Sequence, residues 1–347
     1  MTLEDYGKKE LDPRWVKLVT TFSPYDAVRV SVCRQEFSGW TDTNGHKVYR
    51  PILCQRRNVC PVCAMVYTGV LAEDATELVS KIAFATDGRV NLASVDFTLA
   101  PEAQAMVKMQ DLAKLRKMCW EVLKEVYGVY DEYGNERRLI AGVGVSQYWH
   151  SRNPFKGFFP HFHMTVLDVF YDRKEGSFGR VNLYLEPERL QLLKDLWRNS
   201  FEARYGRTTA KLFDVRYRYS HGQGRLNHRL TYSFRRVVID CYKKTLKTGP
   251  KVKVDVAWMQ QMLLPPKNWK AIQWFGYLSD GVKASFLKKL GIGFEKKSVR
   301  DREKRKVKCN ICGNDLYCCS HGIPYDELSK DKECKVLAFP KTRRVSA

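Results

Sequence analysis

Short apolar, β-prone runs alternate with longer stretches of helical spacing through the middle of the chain. Val90–Ala100 reads as a strand ended by Pro101, and its largely apolar second half predicts a central, well-covered position in a sheet. Residues 102–127 follow with helix-favouring composition. Met106, Leu112, Leu115, Met118 and Val122 recur there at roughly helical spacing, which predicts a helix covering that sheet. After the turn at Asp131–Asn135, Leu139–Trp149 reads as a strand with Val143, Val145, Gln147 and Trp149 on one face. Ser151–Phe159 contains Pro154 and Gly157 and forms a loop. The apolar run Pro160–Val166 beyond it is then an antiparallel neighbour of the preceding strand.

The flanks follow the same two periods. Met65–Ile82 is helix-like, as is Glu188–Tyr205, which stops at Gly206. Lys211–Tyr219 alternates as a strand, with Leu212, Asp214, Arg216 and Arg218 on a mainly basic face and Phe213, Val215, Tyr217 and Tyr219 on the other. Leu230–Lys244 reads as one helix with Phe234, Val237, Val238 and Cys241 on its core face. The class expected is α+β: a central antiparallel sheet with flanking helices, plus small cysteine-bearing modules.

Composition adds a partner to this architecture. The 347 residues include 60 Lys and Arg against 38 Asp and Glu, a formal charge of +22, so a polyanion is the natural partner. Aromatic residues at 12% supply stacking platforms for unpaired bases. The start, Met1-Thr2-Leu3-Glu4-Asp5, has neither a basic nor an apolar leader region, and no apolar run reaches about 18 residues. No membrane association is expected, and the location expected is cytoplasmic. Eleven cysteines in that setting argue for reduced thiols or metal ligands.

The cysteines cluster at both ends. Cys60-Pro61-Val62-Cys63 before a helix, with Cys54 upstream, is a common way of presenting thiolates to a structural Zn²⁺. Cys33 and His46 compete for the fourth position, and Cys33 would make the site all-thiolate. Near the other end, Cys309-Asn310-Ile311-Cys312-Gly313 precedes Cys318, Cys319 and His321, a second zinc-knuckle pattern in which Cys318 and Cys319 are alternatives. Cys334 stands apart.

The histidines point to a different metal. In Pro160-His161-Phe162-His163 the two imidazoles are one residue apart on a strand and therefore share a face, half of a metal site. If the neighbouring strand is antiparallel, Gln147 approaches both, and its amide oxygen suits Mg²⁺ or Mn²⁺. His150 is the alternative third ligand.

Three motifs in order resemble the HUH endonucleases, and within them the rolling-circle replication initiators and related transposases. Val95-Asp96-Phe97-Thr98-Leu99 is similar to the family's first strand motif. Pro160-His161-Phe162-His163 is similar to its histidine-hydrophobic-histidine motif, and Tyr232-Ser233-Phe234-Arg235 to its tyrosine motif. Gly144–His150 resembles the strand before the histidines, where many members carry a glutamate; here Gln147 stands in that position. The cysteine cluster at 54–63 also resembles one found ahead of the nuclease domain in some plasmid initiators.

The resemblance implies metal-dependent nicking of single-stranded DNA, at an origin or hairpin, through a tyrosine nucleophile. It leaves a 5′-phosphotyrosine and a free 3′-hydroxyl. Tyr232 is the expected nucleophile and Tyr242 the runner-up, with Arg235 or Arg236 neutralising developing charge. If Thr231 caps the helix, Tyr232 lies in its first turn, where the dipole favours a phosphate and a tyrosinate. No Gly-x4-Gly-Lys-Ser/Thr loop occurs, so a helicase and a polymerase would be separate partners. A rolling-circle transposase or a relaxase would share this chemistry. A non-catalytic zinc-containing DNA-binding regulator is the alternative of another class.

The expected division is a cysteine module over 1–85, the nuclease domain over 86–250, a basic aromatic segment over 251–308 and a zinc-knuckle tail over 309–347. Within the third segment, Lys283–Lys308 holds 11 basic residues against Glu295, Asp301 and Glu303, a net +8, and forms a plausible phosphate track.

Overall fold

The computed structural model describes residues 10–86, 88, 90–128, 130, 132–207, 214–220, 226–248, 255–264, 270–293, 307–308, 315–328, 330 and 336. Two units compose it, Met1–Val70 with Arg235–Leu264 and Glu295–Ala347, and Leu71–Phe234 with Pro265–Phe294. Both contain antiparallel sheet and helix, so the class is α+β. The expected division into four consecutive segments does not hold. Strand pairing joins residues far apart in sequence, and a linear change of composition carries no record of it.

In the first unit, helices α1 (Pro13–Thr20) and α2 (Pro24–Ser31) precede strands β1 (Glu36–Thr41) and β2 (Lys47–Pro51). Pro at the first turn suits both helices, and Asp12 caps α1 by accepting from the Arg14 N–H at 2.8 Å. Helix α3 (Pro61–Ala85) follows, and the division between units falls within it, after Val70. The tail returns to this unit: β10 (Asp315–Pro324) pairs with β1 and with β9 (Val307–Lys308), giving the order β2-β1-β10-β9. The tail is therefore part of the first sheet, whose small core is Phe37, Leu328 and Val336.

The second unit is built on a six-stranded sheet. Its path is β7 (Asp214–Ser220), β3 (Leu92–Thr98), β5 (Phe158–Asp172), β4 (Arg138–Trp149), β8 (Ile272–Gly276), with β6 (Ser177–Arg180) added to β5. Every pairing is antiparallel. Strand β8 comes from the segment expected to lie outside the nuclease domain. The 102–127 helix is interrupted: α4 (Pro101–Ala105) and a 3-10 turn lead into α5 (Leu112–Tyr127).

Alternation sorts the two faces of this sheet. Phe97 and Phe162 point toward α6 (Pro187–Tyr205), where both meet the Trp197 ring edge-on at 5.3 and 6.3 Å. On that side Trp120 of α5 stacks on Phe275 of β8 at 5.0 Å. Gly144 lets this layer close, because a Cβ there would lie 2.7 Å from Met164 Sδ and 2.8 Å from the Phe275 ring. The other face carries Leu92, Val143, Val145 and Leu167. They pack with α3 residues such as Val79 and Ile82 and with Leu226, Leu230 and Phe234.

A buried cation ties the edge strand down. Arg116 of α5 is 2% exposed and donates to the carbonyls of Lys270 and Ala271 at 2.7 and 2.6 Å, to Ser146 Oγ at 3.1 Å and to Gln273 Oε1 at 3.1 Å. Burial lowers its pKa to about 10, so it is charged at neutral pH. No helix among the described residues is long and apolar enough to cross a membrane.

Replacing Arg116 with Met takes its donors from the carbonyls of Lys270 and Ala271, the second of which still accepts from the Ser146 N–H at 2.9 Å, and costs about 1–3 kcal/mol. The expected outcome is loss of hydrogen-exchange protection in β8, ahead of β3 and β5, which exchange measured by mass spectrometry resolves.

Candidate functional site

The second unit brings the histidine strand into the middle of its sheet. Register sets Gln147 of β4 opposite His161, Val145 opposite His163, and Asp96 of β3 opposite His163 on the other side. Cross-strand partners share a face. His161, His163, Gln147 and Asp96 therefore stand together, with Thr98 and Arg216 next in the same rows.

The hydrogen bonds expose an electrostatic conflict. Gln147 Nε2 donates to the carbonyl of Ser233 at 2.9 Å and approaches that of Tyr232 at 3.4 Å, so its amide oxygen is the end turned toward His161. His161 Nδ1 lies 3.0 Å from the Phe159 carbonyl oxygen, and Nε2 lies 3.2 Å from Gln147 Oε1. A neutral imidazole has one N–H. Burial first, and then the neighbouring His163, push the His161 pKa down to about 4, so the ring is neutral at pH 7. Whichever nitrogen keeps the proton, the other turns a lone pair toward an oxygen.

His163 carries a second such nitrogen. Its Nδ1 lies 2.6 Å from Asp96 Oδ1, and its Nε2 is buried without a hydrogen-bond partner. Burial raises the Asp96 pKa, but the hydrogen bond and charge of His163, with Arg218 and His161, outweigh it and leave the carboxyl below its usual value. An ionised Asp96 holds the His163 proton on Nδ1 and leaves Nε2 as a donor of electrons. The two imidazole rings lie 4.9 Å apart and nearly perpendicular.

One pair of these donors has the spacing that adjacent ligands of a divalent cation would need. Octahedral bonds of about 2.1 Å set adjacent ligand atoms about 3.0 Å apart, close to the 3.2 Å between His161 Nε2 and Gln147 Oε1. His150, the other candidate ligand, is stacked flat on Phe159 with centroids 3.9 Å apart.

Tyr232 lies beside this set, in a different setting from the one expected. Its ring meets His163 edge-on at 5.7 Å and 75°, and the residue is 39% exposed. The expected single helix over 230–244 is two helices, α7 (Leu226–Ser233) and α8 (Val237–Thr248). Tyr232 thus occupies the last turn of α7, at the negative end of the dipole, and Thr231 is no cap. The break follows from tertiary contacts: the Gln147 amide takes the final carbonyls of α7, and Arg235 beyond it is ion-paired to buried Asp240. Neither contact has a signature in helical periodicity.

The remaining candidates sit in the first unit. Arg235 is held by Asp240, and Arg236 donates to Asn58 and lies 4.9 Å over the Tyr67 ring. Tyr242 packs edge-on against Trp15 at 5.7 Å, and its oxygen accepts from the Asp12 N–H at 3.4 Å. Leu212 and Phe213 lie outside the described residues.

The same unit gathers Cys33, Cys54, Cys60 and Cys63, whose sulfurs all lie within 4.8 Å of one another. Cys33 Sγ is 3.8 Å from Cys63 and 3.6 Å from Cys60, and Cys54 is 3.4 Å from Cys63. Zn–S bonds of about 2.3 Å in a tetrahedron imply sulfurs about 3.8 Å apart, so this cluster could hold a structural metal such as zinc. Cys33 completes the set, while His46 is engaged by Asp42 at 2.8 Å. Without a cation the thiols cannot all ionise: hydrogen bonds from Cys54, Cys60 and Cys63 favour a thiolate at Cys33, which in turn raises Cys60 and Cys63. Arg34 and Gln55, directly after Cys33 and Cys54, take positive φ of 72° and 59°. That left-handed backbone costs about 1–2 kcal/mol per residue.

In the tail, Cys318 Sγ lies 3.3 Å from His321 Nε2 on β10, and Cys319 approaches Ser320 Oγ at 3.9 Å. Cys309, Cys312 and Cys334 lie outside the described residues.

Asp96 was not among the sequence candidates. Its signal is a carboxylate inside the apolar strand run Val95-Asp96-Phe97, but only the register identifies His163 as its partner.

No protein-family model matches the chain, and neither a curated protein nor a solved structure matches it.

Two outcomes are expected. In metal-free protein, the unfolded chain takes up a proton at His161 near pH 6.5, whereas the folded one does so only near pH 4. Stability present above pH 6.5 is therefore lost as pH falls to about 4, by at most about 3 kcal/mol. A His161→Gln variant should lack this slope in urea titrations across that range. Separately, Cys60→Ser with Cys63→Ser should lower the zinc content of the purified protein by one equivalent, read by mass spectrometry of the metal.

Proposed function

We propose that the second unit is an HUH-type nuclease domain that nicks single-stranded DNA at an origin to start rolling-circle replication. The observation that carries this reading is the cluster of His161, His163 and Gln147, in which His163 Nε2 has no hydrogen-bond partner, with the Tyr232 ring against His163. The antiparallel sheet with both histidines on its central strand supports it. His161, His163 and Gln147 would hold Mg²⁺ or Mn²⁺, which supplies polarisation of the scissile phosphate.

The residues of this chain perform the rest. Tyr232 attacks phosphorus through its phenolic oxygen. The new bond is tyrosine oxygen to phosphorus, and the bond broken joins phosphorus to the 3′-oxygen, which leaves as a hydroxyl after taking up a proton. The 5′-phosphotyrosine keeps the energy of the broken ester, so strand transfer needs no ATP. Asp96 orients the His163 ring and keeps its Nε2 lone pair turned into the site. Gln147 joins the site to the Tyr232 turn, because its amide oxygen faces His161 while its N–H group holds the end of α7.

Charge for the substrate phosphates comes from the histidine face itself. Arg216 and Arg218 are exposed on β7, in the rows of Asp96 and Ser94, and Arg229 donates to Ser94 Oγ at 3.1 Å. Arg235 and Arg236 are engaged elsewhere and take no part in this scheme. A helicase and a polymerase would act as separate partners on the opened origin. A transposase or relaxase would use the same residues on another element.

The test is covalent capture. Purified protein with Mn²⁺ or Mg²⁺ and a single-stranded DNA pool containing the native origin should yield an adduct stable to denaturing electrophoresis and mapping to Tyr232. Tyr232→Phe and the His161→Ala/His163→Ala double variant should abolish it, and Tyr242→Phe should not. An adduct at Tyr242 would move the nucleophile, and DNA binding with no adduct under either metal would favour the non-catalytic regulator.

A further inference from the structure

The first unit carries a second basic surface, built around the loop between Cys54 and Cys60. Three consecutive residues of that loop each fix a neighbour. Arg56 pairs with Asp26 at 3.1 Å and lies 5.1 Å over the Tyr25 ring. Arg57 lies 4.3 Å over the Tyr67 ring, and Asn58 accepts from Arg236, whose guanidinium covers the same ring at 4.9 Å. Arg29 of α2 lies 5.8 Å from the Tyr25 centroid. Four arginines thus alternate with two tyrosines. Among the described residues no carboxylate pairs with Arg29 or Arg57, which are both exposed.

An apolar stripe adjoins them. Tyr25 is 64% exposed, Val28 68% and Val32 49%, at a spacing that puts them on one side of α2 and its C-cap. An exposed apolar stripe of this kind beside guanidinium groups needs a partner with both an anionic and a flat apolar part. Unpaired nucleotides have both: phosphates for the arginines and base faces for Tyr25 and the valines. A duplex hides its base faces in the stack and would meet the arginines alone.

We propose that this face of the first unit binds single-stranded nucleic acid, as a surface separate from the histidine site and independent of cleavage. The loop that shapes it is closed by two cysteines of the four-thiol cluster. Order in that cluster therefore fixes the spacing of Arg56, Arg57 and Asn58.

The experiment is fluorescence anisotropy with a labelled oligodeoxythymidylate and the zinc-loaded full chain, without added Mg²⁺ or Mn²⁺. Tyr25→Ala and Arg57→Ala should each weaken binding about five- to tenfold. Arg57→Ala should also reduce the slope of log affinity against log salt by about 0.7. Lys81→Ala, which removes a surface charge elsewhere, should change neither. Both tested side chains are exposed, and unchanged circular dichroism shows that the variants fold. Unchanged affinity in the Tyr25→Ala/Arg57→Ala double variant would overturn the proposal, as would an equal or larger loss for duplex DNA. Adduct formation at Tyr232 is scored separately, so failure of the nuclease reading and failure of this surface give different patterns.

Discussion

The histidine face depends on the register of β5 between β3 and β4. Because side chains alternate along a strand, a slip of one residue would turn both imidazoles to the opposite face, into the layer now filled by Phe162 and Trp197. Buried aromatic packing on that side and a polar cluster on this one enforce the same register. Arg116 reinforces it from the edge by donating to the carbonyls of Lys270 and Ala271, just before β8, and to Gln273 Oε1 within it. Stability and site geometry therefore draw on the same constraint.

Within that frame the site is under-satisfied. Protein cores pair nearly all their buried polar atoms, yet His163 Nε2 has no partner and His161 faces oxygens from both ring nitrogens. Asp96 and the two backbone carbonyls at the end of α7 orient the groups while leaving their lone pairs facing inward. A buried nitrogen left without a partner costs stability. The four thiols of the first unit show the same logic in sulfur, with positive-φ backbone after two of them.

Much of the fold was legible in the sequence. The strand expected over 90–100 forms at 92–98 and that over 139–149 at 138–149, while the 160–166 run is the middle of a longer strand, 158–172, that takes in the end of the loop expected over 151–159. These and the helix at 187–205 follow from local periodicity and from Pro and Gly punctuation, which act over a few residues. The shared face of His161 and His163 follows from the two-residue period alone. Cys54, Cys60 and Cys63 were marked by spacing, because a turn presents thiolates at fixed intervals.

Tertiary structure decided what depends on distant partners. Asp96 beside His163, Cys33 rather than His46 among the thiols, and the tail strand β10 paired with β1 all join residues separated by tens to hundreds of positions. The break at 234–236 is the sharpest case. Periodicity favoured one helix through it, but a glutamine from a strand some 85 residues earlier caps the first helix, and an arginine pairing beyond the break belongs to the other unit. Local sequence sets which elements can form and which way their side chains alternate. Where they end and what they face is fixed by hydrogen bonds and charges that exist only once the chain has folded.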